Sequence, residues 1–347
     1  MNAAAAAFLN RERFMRKATG LVRTVAAVSL ILAIGAGSAR GQEKMRISYS
    51  SADSTNAIYF IAHDRGFYKK HGIDAELIFI PSTPISVTSL IAGDVKVANA
   101  SGSAIASAAV GGVALVTIAC YINTLPYELV VQESVKSPED LKGKSIGISR
   151  IGSASDTAAQ VLIKALGLEP IKEVPIIQVG GASERAAAFR TGRIAGFPAP
   201  PGVVKLAKGM PHKVLISTAD LPKRFEFPYI CANTTQSYLR SQRDSVKSVV
   251  MALMEATQFF KTRKEESKKI VAKYSKQDNE EYLESSYNAM AKLYEKVPLV
   301  TRPGMEAQIQ EAVARKPGAG IKFEDIVDES IVKELVKSGF VEKLSRP

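Results

Sequence analysis

The chain has 347 residues and carries 46 Lys/Arg against 34 Asp/Glu, a formal charge of +12 at pH 7. That length exceeds one comfortable hydrophobic core and points to two lobes. The basic excess lies in mixed runs such as "KTRKEESKKIVAKYSK", which read as solvated helix faces, and no basic stripe with interleaved aromatics marks a nucleic-acid surface.

The first segment reads as an address label. Arg11, Arg13, Arg16, Lys17 and Arg23 precede an apolar run over residues 25–36, and small residues follow. The run is too short to span a bilayer, which takes roughly 20 residues. The pattern is that of a secretory signal peptide, residues 1–41, with cleavage expected after Gly41. Six Lys/Arg and one Glu leave with it, so the remaining chain carries about +7. An exported, periplasmic protein is expected.

Beyond the label, "MRISYS" reads as a strand and "STNAIYFIAHDRGFYKKHGI" as a helix capped by Ser54 or Thr55, with Gly66 ending its periodic part. "DAELIFI" is a strand, "SVTSLIAGD" a helix closed by Gly93, "VKVANA" a strand, "SAIASAAVGG" a helix and "VALVTIACYI" a longer strand. "SPEDLKGKSIGIS" opens a second unit through a capped turn and a strand. "SASDTAAQVLIKALGLEP" is a helix, "VPIIQV" a strand, "SERAAAFRTG" a helix, and "RIAGFPA" and "KVLIST" further strands. Alternation of this kind implies largely parallel α/β sheets. From Asp244 the texture becomes helical, with 3.6-residue apolar spacing running through "DSVKSVVMALMEATQFFKTRKEESKKIVAKYS". Such helices need a sheet to cover, and the first lobe supplies one.

Cys120 and Cys231 both lie in apolar strand-like runs, which favours two buried free thiols over a bridge. His63, His71 and His212 are scattered, with no spacing that would hold zinc. No cofactor is expected.

The stretch "DRGFYKKHGIDAELIFIPSTPISVTSLIAGDVKVANASGSA" resembles substrate-binding proteins of ABC transporters for nitrate, sulfonates and thiamine precursors. "SPEDLKGKSIGI" is similar to that family's entry into its second lobe, and the likeness runs from Met45 to about Pro201. The resemblance implies a two-lobed type II periplasmic binding protein fold, each lobe a mostly parallel sheet flanked by helices. Lobe one would be residues 45–129 plus 228–347, including the helical tail, and lobe two residues 130–227. Two crossovers would join them near residues 126–131 and 227–233. It also implies a receptor, monomeric, that hands a small-molecule ligand to an ABC permease in the inner membrane. Where the family often has G-x-[IV]-D-A, this chain has Gly192-Arg193-Ile194-Ala195-Gly196 and lacks the carboxylate that would hold a ligand amine.

Ligands in open α/β sheets sit outside the carboxyl ends of strands, where helix N-termini present free N–H groups. "SSADSTN", "PSTP", "NASGSA" and "RIGSASDT" are small, polar junctions of this kind. They nominate Ser51, Asp53, Ser54, Asn56, Ser82, Thr83, Ser101, Gly102 and Ser103 on one lobe, and Gly152, Ser153, Ser155, Asp156 and Thr157 on the other. Tyr121 past a strand end, Gly181 in "GGASE" and Pro200 in "PAPPG" complete the expected cleft. Arg150 and Arg185 are candidates for pairing bidentately with an anion. Each of these residues can equally be an ordinary cap, turn or surface group.

The expected function is therefore capture of a small organic anion, a sulfonate or carboxylate, without chemistry. Two other readings stay open. One is a ligand sensor that docks on a membrane receptor. The other is an enzyme like the thiamine-pyrimidine synthases, whose cysteine-rich motif this chain lacks.

Overall fold

The structure, a computed structural model, describes residues 42–203, 211–318 and 320–344. The expected signal segment lies outside the described residues.

Short apolar runs rich in Ile and Val form the strands, in chain order β1 Glu43–Tyr49, β2 Ile73–Phe79, β3 Val97–Ala100, β4 Leu115–Thr124 and β5 Glu128–Gln132. They continue as β6 Ile146–Ile148, β7 Ile176–Gln178, β8 Gly196–Ala199, β9 His212–Ser217 and β10 Glu226–Thr235. These strands make two sheets, ordered β2-β1-β3-β10-β4 and β7-β6-β8-β5-β9.

The same topology is built twice. In each sheet the first three strands of the lobe pair in parallel, because a helix returns the chain between them. A fourth position is filled by a strand that has just crossed from the other lobe. β10 comes from the second lobe and runs antiparallel between β3 and β4, while β5 comes from the first and runs antiparallel between β8 and β9. The sheets are thus mixed, and the expectation of mostly parallel pairing holds for half of the strand contacts. The antiparallel strands are the ones whose arrival no local pattern announces.

The helical tail covers the first sheet. In the helix Arg243–Thr262, Val246, Val249, Val250, Leu253 and Phe260 are buried at three- and four-residue spacing, which gives one apolar stripe. The expected continuous helix breaks at Arg263 (φ −123°, ψ 66°), and a second helix, Lys264–Ser275, starts there. The open edge of β4 is occupied by tail backbone. Cys120 N–H donates to the Pro298 carbonyl at 2.8 Å, Glu295 N–H to Tyr121 at 2.8 Å and Asp328 N–H to Thr117 at 3.0 Å. An edge strand paired in this way offers no template for association.

Cys120 and Cys231 form a disulfide, against the expectation of free thiols. They are direct partners across the β4–β10 ladder, and neither is exposed. Burial was legible from the apolar runs; the facing register was not.

One buried acid ties the tail to the front of the lobe. Glu255 accepts from Lys70 Nζ at 2.8 Å and meets His71 Nε2 at 2.8 Å. Burial pushes its carboxyl up, but the bonds from His71 and Lys70 outweigh this and hold it below the ordinary glutamate value. A depressed folded pKa stabilises the protein above the ordinary value, near 4.3, and that contribution is lost as the pH falls through the lowered one. Glu255→Gln is expected to flatten the loss of urea stability between about pH 5 and pH 3. An unchanged slope over that range would remove Glu255 as its source.

Candidate functional site

Four helices begin at the carboxyl ends of parallel strands and turn their N-termini toward the space between the sheets. They are Thr83–Ala92 after β2, Gly102–Val110 after β3, Ala154–Ala165 after β6 and Ala182–Arg190 after β7. The first N–H groups of a helix have no carbonyl partner within it, and they carry a partial positive charge. Small residues at three of these junctions (Ser82, Ser153, Gly181) leave those groups approachable, whereas Ser101 is fully buried.

The lobes are in contact around this space. Ser103 Oγ donates to the Gly152 carbonyl at 3.1 Å on one side. On the other, Gly202 (φ +85°) lies so close to the helix Glu280–Leu293 that a Cβ there would sit 3.0 Å from that of Ser286.

Between these contacts lie two chambers that share Ser50, Ser51, Asp53, Pro81, Gly181 and Ala182. The inner one, about 50 Å³, is lined mostly by polar residues and has room for a few waters or one oxyanion. Ser82, Thr83, Ser149, Ser153, Ser155, Arg185, Pro200, Tyr127 and Tyr229 line it. Ser82 Oγ is buried and finds no hydrogen-bond partner among the described residues. Ser149, Ser153 and Ser155 form a triangle of hydroxyls at 2.9–3.0 Å, and Ser155 Oγ also accepts from Ser149 N–H at 2.9 Å.

Arg185 is 5% exposed. Its guanidinium donates to two backbone carbonyls, Pro198 at 2.9 Å and Gly181 at 3.4 Å, and lies 5.9 Å from the Phe197 ring centroid. Burial weakens its hold on the proton, opposed by Tyr127, Tyr229 and the Asp53 carboxylate nearby; an arginine remains charged under such a shift. Asp53 itself is occupied. It accepts from Thr55 N–H at 2.9 Å, from the Thr55 hydroxyl, and from Ser51. It therefore caps the first helical turn, the role expected of Ser54 or Thr55.

Tyr127 and Tyr229 come from the two crossing segments, one just before β5 and one within β10. Their hydroxyls meet at 3.1 Å. Burial pushes both phenols up, so both stay protonated. Tyr229 also meets the Thr55 side chain, so the pair is tied into the Asp53–Thr55 hydrogen-bond network at the start of the first helical turn.

The outer chamber, about 380 Å³, is walled largely by Phe79, Val130, Phe189, Phe197 and Val203, with Ser275, Gln277, Glu184 and Arg190 among its polar groups.

Of the residues nominated from sequence, Ser51, Asp53, Ser82, Thr83, Ser153, Ser155, Gly181 and Pro200 come together on these walls. Ser101 stands one bond behind, its Oγ 3.3 Å from that of Thr83 and 2.9 Å from that of Ser103. Asp156 caps its own loop through Gly152 N–H at 2.8 Å.

Other nominated residues lie away from both chambers. Tyr121 lies in the core and donates to the Val250 carbonyl at 3.3 Å, because β4 is buried along its length. Ser54 and Asn56 sit behind the cleft: the Ser54 carbonyl accepts from Tyr294 at 3.0 Å, and Asn56 Oδ1 accepts from Asn99 at 2.5 Å. Gly102 packs on Pro228, and Thr157 is buried away from both linings. Arg150 is exposed and lines neither chamber.

The tyrosine pair and the phenylalanine wall were not nominated, since buried aromatics read as core. A tyrosine within each expected crossover was the available signal. The histidines line neither chamber: His63 and His71 pair with Asp64 and Glu255, and His212 begins β9.

Three proteins show what this chain is similar to. A Brucella abortus (strain 2308) protein, named as a binding protein, is 27% identical over 75% of this chain and 80% of its own. The alkanesulfonate-binding protein SsuA from Xanthomonas axonopodis pv. citri, solved bound to MOPS, superposes with a TM-score of 0.67 at 15% identity, covering 83% of this chain and 98% of that one. The periplasmic nitrate-binding protein NrtA from Synechocystis PCC 6803 gives 0.66 at 14% identity, covering 85% and 88%. These likenesses identify the periplasmic binding protein fold. The family described as NMT1/THI5 like matches residues 54–267, well over half of the chain, and the chain belongs to that family.

Proposed function

We propose that the protein is an exported solute receptor. It closes its two lobes on a small organic anion, a sulfonate or carboxylate, and delivers it to an ABC permease in the inner membrane. The observation that carries this reading is Arg185. A guanidinium 5% exposed, hydrogen-bonded to carbonyls and lining a small polar chamber, holds charge-assisted donors for an oxyanion. Ser82 Oγ, buried without a partner among the described residues, and the N-termini of the helices Thr83–Ala92, Ala154–Ala165 and Ala182–Arg190 add neutral donors at the same place. The sulfonate and nitrate binders of the same fold support the choice of an anion. Segments 124–128 and 217–226, which carry the chain between the sheets, are the hinges of the closure.

The test is a thermal-shift panel of taurine, methanesulfonate, benzoate, acetate and nitrate against neutral pyrimidines. An anion at 100 times its dissociation constant should add about 2.7 kcal/mol of stability. A shift with the neutral bases and none with any anion would overturn the reading.

A further inference from the structure

Resting on the anion reading, we propose that the ligand is an aryl carboxylate or aryl sulfonate, a charged headgroup attached directly to a flat apolar body of one or two rings. An inorganic or short aliphatic anion does not match the cavity. The inner chamber, about 50 Å³, contains the buried Arg185 and the orphan Ser82 hydroxyl, and is full once a headgroup is in place. The outer chamber is more than seven times larger, about 380 Å³, within the range of pockets that enclose whole organic ligands. Nitrate or methanesulfonate would leave that space to water against phenylalanine.

The outer walls say what belongs there. Phe189 and Phe197 stand edge to face at 5.4 Å and form one side. Phe79, at the end of β2, stands on the opposite lobe. Tyr49 covers part of its ring at 5.3 Å, and Phe79 stays 49% exposed. Because Phe79 also lines the outer chamber, its bare face is apolar surface that a ligand there would cover. Aromatic walls favour a flat ring, which gains offset or edge contacts beyond area burial.

The attachment is direct because the two chambers adjoin across Ser50, Ser51, Asp53, Pro81, Gly181 and Ala182. The Arg185 guanidinium lies 5.9 Å from the centroid of Phe197, a residue of the outer wall. An oxyanion on Arg185 therefore stands beside the wall of the outer chamber, which leaves little length for a spacer.

The experiment is isothermal titration of the purified full chain with naphthalene-2-sulfonate, 2-naphthoate, methanesulfonate, acetate, nitrate and neutral 2-naphthalenemethanol. Naphthalene-2-sulfonate should bind at least 30-fold more tightly than methanesulfonate, the scale expected from burying one aromatic ring. Phe79→Ser, at a half-exposed position, should cut that ratio at least fivefold with an unchanged melting temperature. Methanesulfonate or nitrate binding within threefold of the naphthalene sulfonate would overturn the aryl assignment and leave the anion reading standing. The neutral alcohol binding as tightly as the sulfonate would overturn the headgroup assignment. Binding by no anion at all would overturn the anion reading itself.

Discussion

Arg185→Gln is expected to weaken binding of an anionic ligand by roughly 100-fold or more. Removing one member of a buried, hydrogen-bonded charge pair costs about 2–5 kcal/mol, and each 1.4 kcal/mol is a factor of ten in affinity. Two effects add. The ligand loses a charge-assisted fork, and the Asp53 carboxylate, already filled by Ser51 and Thr55, is left as the uncompensated charge beside the chamber. The unliganded protein should change much less. The Pro198 carbonyl loses its donor, which costs about 1–3 kcal/mol, while the desolvated guanidinium disappears, which offsets it. Arg185→Lys keeps the charge and loses the fork, so its affinity should fall between the two. Titration calorimetry and melting curves on the three proteins separate these effects. Affinity within threefold of the parent in Arg185→Gln would show that the anion is held elsewhere.

The second large effect is expected from the disulfide. Cys120 and Cys231 are 111 residues apart in sequence, and the loop they close contains the whole second sheet. Cross-linking a loop of about 100 residues is worth roughly 4–5 kcal/mol in the chain-entropy account, and native bridges commonly measure 2–5 kcal/mol. The Cys120→Ala/Cys231→Ala double variant should therefore melt roughly 5 °C or more below the parent. Its ligand affinity should hold within a few-fold, since the bridge lies in the β4–β10 ladder and lines neither chamber. Denaturing alkylation without reductant is the direct check, and it should label neither cysteine. Labelling of both, or a double variant that melts with the parent, would remove the bridge from the native protein.

Both predictions concern residues whose roles were only half legible. Arg185 could be read as an anion candidate from its place at the start of a helix after a glycine pair. Nothing nearby distinguished it from Arg150, which ends exposed. The cysteines could be read as buried. Their pairing depends on the register between β4 and a strand that arrives 111 residues later.

By itself the sequence determined the local elements and the junctions. Period-two and period-3.6 patterns placed the parallel strands and their helices, and runs of Ser, Thr and Gly after β2, β3, β6 and β7 marked the helix starts that converge on the cleft. These are short-range properties, set by neighbours within a few turns. Only the tertiary structure decided that β5 and β10 exchange sheets, that Tyr127 meets Tyr229, that Tyr121 faces the core, and that Phe79 on one lobe opposes Phe189 and Phe197 on the other. The reason is the same in each case. A buried aromatic satisfies the same local pattern whether it packs on a helix or on an open cavity, and the difference lies in which distant strand stands opposite it.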